Sequence, residues 1–137
     1  MADNVRIIEY FYAQVGDTPG TGRRLLEHLS ERGVNLLAFT AFPIDSGQSQ
    51  LDFVPESASQ LRKAAADAGI ALFGPKRAFL FQGDDRIGAL HEHHLVLANA
   101  GVNVLAANGT VDGTGRYGFI LWVPQEQFDQ ASAALGL

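Results

Sequence analysis

The feature that most restricts this chain is an internal repeat. Gly33-Val34-Asn35-Leu36-Leu37-Ala38 returns, 68 residues later, as Gly101-Val102-Asn103-Val104-Leu105-Ala106. At that offset residues 10–38 align with 78–106, and ten positions are identical: Phe11/Phe79, Gln14/Gln82, Asp17/Asp85, Gly20/Gly88, Leu29/Leu97 and five of the six in the string. Val54-Pro55 and Val123-Pro124 match at offset 69, which one inserted residue in an intervening turn explains. Several matches in one order at nearly one offset indicate a duplication. The 137 residues therefore divide into two units, expected at 1–74 and 75–137.

Both copies have the same order of elements. A strand comes first, Val5 to Val15 and Arg77 to Gln82, followed by the turns Gly16-Asp17-Thr18-Pro19-Gly20 and Gly83-Asp84-Asp85-Arg86-Ile87-Gly88. A helix follows. In copy one it is expected from Pro19 to Arg32, with Leu25, Leu26 and Leu29 on one face and Asp17 or Thr18 as its cap. Gly33 and Gly101 stand where a helix end takes a left-handed residue. Two strands joined by a tight turn come next, the turns being Asp45-Ser46-Gly47 and Asp112-Gly113-Thr114-Gly115. A second helix is expected over 56–68 and 125–135, each opened by an acidic residue. Those helices align only at offset 67, Leu61, Ala64 and Ala68 matching Phe128, Ala131 and Leu135. Ile70–Phe73 would give copy one a fourth strand; copy two stops at Leu137 without one. The fold class is thus α+β: two tandem ferredoxin-like βαββα(β) units with antiparallel sheets and helices on one face.

Strands with one wet face alternate apolar and polar residues. Here Ile7, Phe11 and Ala13 oppose Ile8, Tyr10 and Tyr12, and Phe119, Leu121 and Val123 oppose Ile120 and Trp122. The face away from the helices needs a cover, and the expected cover is a second chain, in a homodimer packed sheet to sheet or behind an edge-to-edge pairing of the two units; the alternative is a modestly apolar open face.

The string Asp17-Thr18-Pro19-Gly20, then a helix, then Gly33-Val34-Asn35-Leu36, resembles the ACT domain. Copy two keeps Asp85-Arg86-Ile87-Gly88 and Gly101-Val102-Asn103-Val104, with Ile87 in place of the proline. The resemblance spans nearly the whole chain as a tandem pair. It implies a non-catalytic regulatory module that binds an amino acid near the turn between first strand and first helix. It also implies a metabolic enzyme as the regulated partner. The ligand-binding candidates are Gly16, Asp17, Thr18, Pro19, Gly20 and Asn35 in copy one, with Asp85, Arg86, Ile87, Gly88 and Asn103 in copy two. Glycine at 20 or 88 admits a ligand close to the backbone. Helix-start N–H groups favour a carboxylate, and Asp17 or Asp85 an ammonium group. The same residues have a purely structural reading as helix caps and strand ends.

His91-Glu92-His93-His94 is the most unusual tetrapeptide. His91 and His94 lie one helical turn apart, the spacing of a metal pair, but His93 and His94 align with the core positions Leu25 and Leu26. A core or pocket histidine is therefore expected ahead of a metal site, and no cofactor is called for. The alternative function is a small dimeric enzyme, a lyase, isomerase or monooxygenase, using His93 and His94 with Asp85 or Glu92. A pure oligomerisation module is the third reading.

Composition excludes other classes. The net charge is −5, and both halves are mildly acidic with no basic stripe, so nucleic acid is not an expected partner. There is no cysteine, which fits a reducing compartment and removes thiolate chemistry. No apolar run approaches the roughly 18 residues of a membrane span, and the start MADNVRIIEYF lacks signal-peptide character, so a cytoplasmic location is expected. Gly20-Thr21-Gly22-Arg23-Arg24 lacks the spacing of a phosphate loop.

Overall fold

The structure, a computed structural model, describes residues 3–45 and 47–137. In chain order the elements are β1 (Asn4–Gly16), α1 (Thr21–Glu31), β2 (Leu36–Pro43), β3 (Gln48–Pro55), α2 (Ala58–Asp67), β4 (Phe73–Asp84), α3 (Ala89–Asn99), β5 (Ala106–Val111), β6 (Arg116–Trp122) and α4 (Phe128–Ala134), the last preceded by a 3-10 turn, Gln125–Gln127. Ser46, in the expected turn of copy one, lies outside the described residues.

Two units share these elements. One is Glu9–Lys76; the other is Arg77–Leu137 together with the chain up to Ile8. In the first the strand order is β2-β3-β1-β4, and in the second β1-β4-β6-β5. Strand β4 is continuous from Phe73 to Asp84, so it ends one unit and opens the other. The fourth strand expected at Ile70–Phe73 therefore starts later: Ile70–Leu72 lie outside any strand, and only Phe73 belongs to β4. Copy two has its fourth strand after all, in the early residues of β1. The expected division at 74/75 falls inside β4; the observed ones follow Ile8 and Lys76.

Each unit buries one strand face against its helices. In the first, Phe11, Ala13, Leu51 and Phe53 meet Leu25 and Leu29 of α1 and Leu61 and Ala64 of α2. In the second, Phe79, Phe81, Phe119 and Leu121 meet Ala89 and Leu97 of α3 and Phe128 and Ala131 of α4. The strand residues correspond at offset 68, and Leu61/Phe128 and Ala64/Ala131 at 67. A side chain such as Leu29, 2% exposed, contributes roughly 2 kcal/mol by leaving water.

The glycines of the repeated string reverse the chain after each first helix. Gly33 has φ 72 and Gly101 has φ 74. The N–H of Val34 donates to the carbonyl of Leu29 at 3.0 Å and that of Gly33 to Ser30 at 3.0 Å; Val102 and Gly101 repeat both bonds on Leu97 and Ala98, again at 3.0 Å. This 6→1 and 5→2 pair is a Schellman ending, and it explains why Gly-Val recurs: glycine takes the left-handed position, and valine packs back over the last turn.

The helix starts differ from expectation. Asp17 and Thr18 do not cap α1. The N-cap positions are Gly20 (φ 89) and Gly88 (φ 83), with no side-chain cap in either copy. Asp17 is occupied elsewhere: its N–H donates to the carbonyl of Gly47 at 2.8 Å, as that of Asp85 does to Gly115 at 2.9 Å, so each turn is tied to its hairpin tip. Pro19 precedes α1 rather than starting it. Ser57, not Glu56, starts α2, accepting from the N–H of Gln60 at 3.3 Å.

On the alternate strand face, Ile8, Tyr10, Val54, Leu80, Ile120 and Trp122 are buried. Asp52 is buried there too, 7% exposed, and accepts from Gln50 Nε2 at 2.9 Å. Burial pushes its carboxyl above the usual range, and burial together with Asp52 pushes the Tyr10 hydroxyl up to about 12. No helix among the described residues is long and apolar enough to cross a membrane.

Two outcomes follow. An acid whose folded pKa is raised gives most stability below the unfolded value and loses it as pH rises towards the folded one. Asp52→Asn should therefore raise the denaturation midpoint at pH 7 by roughly 3 °C, and the gain should shrink below about pH 4, in melts recorded across pH. Gly101→Ala should cost about 1 kcal/mol in urea unfolding, because a Cβ is strained at that φ.

Candidate functional site

The two turns flagged by the repeat have the same backbone and different surroundings. In copy one, Gly16 ends β1, Thr18 Oγ1 lies 2.7 Å from Thr21 Oγ1, and Arg24 donates its backbone N–H to the carbonyl of Gly20 at 3.0 Å. In copy two the turn borders a cavity of about 400 Å³. Asp85, Arg86 and Gly88 form one side with Ala89, Leu90 and His91 of α3; Gly109, Thr110 and Val111 of β5 and Tyr117 of β6 form the other. Ile87 is fully exposed and is not part of the lining. The cavity is within the size range of small-ligand sites and combines apolar walls with a few polar groups.

Like Ile87, Asn35 and Asn103 do not join this site. Asn35 and Asn103 follow the first helix of each copy, and eleven residues of helix, about 16 Å, separate them from the turn. Asn35 Nδ2 donates to Glu56 Oε2 at 2.8 Å, and the N–H of Asn103 donates to Gln127 Oε1 at 3.0 Å. Both hold the start of a strand to the segment that opens the second helix.

Beneath the second turn is a charged cluster that contains a residue sequence reasoning missed. Asp3, with its side chain 5% exposed, accepts from Arg86 Nη1 at 3.0 Å on Oδ1 and from Arg86 Nη2 at 3.0 Å on Oδ2. His93 Nε2 lies 2.8 Å from Oδ2, and Tyr117 also bonds to Asp3. Glu92 Oε2 takes a second bond from Arg86 Nη2, at 2.6 Å. These bonds, that of Arg86 foremost, hold the Asp3 carboxyl well below the usual carboxylate range. An ionised Asp3 makes Nε2 of His93 the protonated nitrogen. Burial, and then the bond to Asp3, pushes the Tyr117 hydroxyl above its ordinary value. No sequence signal marked Asp3, because it meets Arg86 across 83 positions of chain.

The histidines separate. His93, 14% exposed, packs on Phe81 with ring centroids 4.5 Å apart and takes Asp3 as its acid partner, not Asp85 or Glu92. His94 Nδ1 lies 2.7 Å from the carbonyl of Leu90, one turn back on the same helix, and His91 lines the cavity. Among the described residues no group of three or more His, Cys, Asp or Glu is placed to hold a metal ion.

No family model and no curated protein match this sequence. Solved structures do match its fold. A Bacteroides thetaiotaomicron protein superposes with a TM-score of 0.82 at 14% identity, over 96% of this chain and 88% of that one. The regulatory subunit of aspartate kinase from Thermus thermophilus gives 0.66 at 18% identity, over 98% and 94%. A regulatory domain of aspartate kinase from Porphyromonas gingivalis gives 0.60 at 14% identity, over 98% and 95%. The chain has the α+β fold of these structures, an antiparallel sheet with helices, of the ACT and ferredoxin-like kind. The cavity lies at the turn between β4 and α3.

The depressed Asp3 carboxyl sets a pH dependence. Its stabilisation is present above the unfolded carboxylate value near 4 and is lost as pH falls below it. Asp3→Asn should cost on the order of 2–3 kcal/mol at pH 7, and the gap from the parent should narrow in the acid range, as denaturant titrations at stepped pH would show.

Proposed function

We propose that this chain is a non-catalytic regulatory protein that binds an amino acid at the second strand–helix turn. The observation that carries the reading is the 400 Å³ cavity between the uncapped start of α3 and strand β5. Its chemistry suits a zwitterion. The guanidinium of Arg86 and the positive end of the α3 dipole favour a carboxylate. Asp85 on the rim favours an ammonium group, and Leu90 and Val111 leave an apolar wall for a side chain. The first turn is proposed as a second contact region through Gly16, Asp17, Thr18, Pro19 and Gly20, whose backbone repeats that of the second. Similar structures include regulatory subunits of aspartate kinase, which supports a regulatory role and a metabolic enzyme as partner.

A ligand regulates only if it binds one state more tightly than another. A homodimer supplies such states. Its support is the edge strand β2, where Leu37, Phe39 and Phe42 are 37–40% exposed. The absence of cysteine supports a reducing compartment such as the cytoplasm. The enzyme reading has less support, since His93 is shielded and committed to Asp3.

Thermal melts against the twenty amino acids at millimolar concentration should show at least one raising the midpoint by several degrees. Leu90→Trp, which fills the cavity from a half-exposed position, should abolish that shift while leaving the unliganded midpoint nearly unchanged. A flat response across the panel would remove the reading. Sedimentation should give twice the 14.7 kDa chain mass, falling to one chain in Phe39→Lys.

A further inference from the structure

Arg86, His93 and Tyr117 converge on one carboxylate. Arg86 offers two nitrogens in the fork geometry guanidinium groups use for that ligand, each 3.0 Å from its own oxygen. His93 donates from Nε2 at 2.8 Å, and Tyr117 adds its hydroxyl, which also stands 3.5 Å from that nitrogen. The rings of Phe81 and Phe119 lie against His93, keeping the donor side dry. Gly83 leaves room, since a Cβ there would collide with Asp3 Oδ1. This is the donor set of a receptor for a free carboxylate, and the carboxylate in it belongs to the chain.

The occupant is loosely placed in the chain. Asp3 lies outside β1, whose first residue is Asn4, so its departure breaks no strand pairing. Arg86 and Tyr117 face both ways: they hold Asp3 and they line the cavity. A ligand carboxylate that replaced Asp3 would leave the charge beside Arg86 unchanged, with Glu92 still bound to Nη2. We propose that Arg86, His93 and Tyr117 form a carboxylate-binding site that the chain fills with its own Asp3, and that a ligand carboxylate entering from the cavity takes Asp3's place. The displacement step rests on the small-ligand reading of the cavity; the receptor stands on its contacts alone.

The test empties the receptor and offers small carboxylates. Asp3→Gly should melt about 10 °C below the parent in sodium chloride. Sodium formate or acetate at the same ionic strength should restore at least half of that loss, saturating in the millimolar range. Asp3→Gly/Arg86→Gln should show no recovery specific to formate. Equal midpoints in formate and chloride, or equal recovery with and without Arg86, would overturn the proposal. If Asp3→Gly does not fold in chloride, the same comparison is made on refolding yield. A flat amino-acid panel on the parent with formate rescue of the variant removes the sensor and keeps the receptor; a responding panel without rescue does the reverse.

Discussion

The segment from Arg77 to Leu137 contains three strands of its own, and the chain ahead of Ile8 supplies the fourth. Much of what distinguishes the second unit follows from that loan. It brings Asp3 to the turn at Arg86, where a carboxylate buried to 5% exposure is tolerable only with charged and hydrogen-bonding partners on every side. Arg86, His93 and Tyr117 provide them. The cluster and the strand support each other: without the early residues of β1 the three donors would face no acid, and without the donors Asp3 would be an unpaired buried charge. Bringing residues 83 positions apart together costs loop entropy, but that cost grows only with the logarithm of length.

What the sequence made legible is what repeats. The Gly-Val-Asn string announced two helix endings because only glycine suits the left-handed position, and both endings have the same bonds. The core could be read from alternation and offset: Phe11/Phe79 and Leu29/Leu97 are buried in both units. Pairings between segments distant in sequence stayed hidden. Nothing in MADNVRIIEYF indicates that its first residues complete the other copy, so the fourth strand of copy two and the role of Asp3 were both invisible. Asp17 was misread for a related reason. A capping aspartate and one whose backbone is tied to a hairpin tip look alike in sequence, and the left-handed Gly20 decides between them. The repeated asparagines can donate and accept hydrogen bonds, but a helix stands between them and the turns.

The differences between the copies tell as much as their likeness. The outer surface of α1 carries the pair Arg23 and Glu27, 3.3 Å apart, where α3 has His91 and Leu95. At the inner position Leu25 gives way to His93, a polar residue that is affordable in a core only because Asp3 meets it. Thr18-Pro19 becomes Arg86-Ile87. Arg86, His91 and His93 place polar or charged groups around the second turn, beside the apolar Ile87 and Leu95, on a backbone with the same bonds. Duplication supplies the scaffold twice; one copy keeps an ordinary leucine core, and the other holds an ion cluster beside a cavity.

On the proposed reading, that arrangement would give a physical route from ligand to response. A fixed cation beside an empty cavity would bind anions without changing anything else, and binding alone regulates nothing. Arg86 is different because its partner is already a carboxylate, and that partner is tied to the start of β1. Any group competing for the guanidinium must act on Asp3, the residue just ahead of β1. If a ligand carboxylate displaces Asp3 as proposed, the free energy available for signalling would be the difference between two carboxylates bound to one site, a quantity set by how well Asp3 is held. The hydrogen bonds that keep its carboxyl ionised are the same ones a ligand would have to replace.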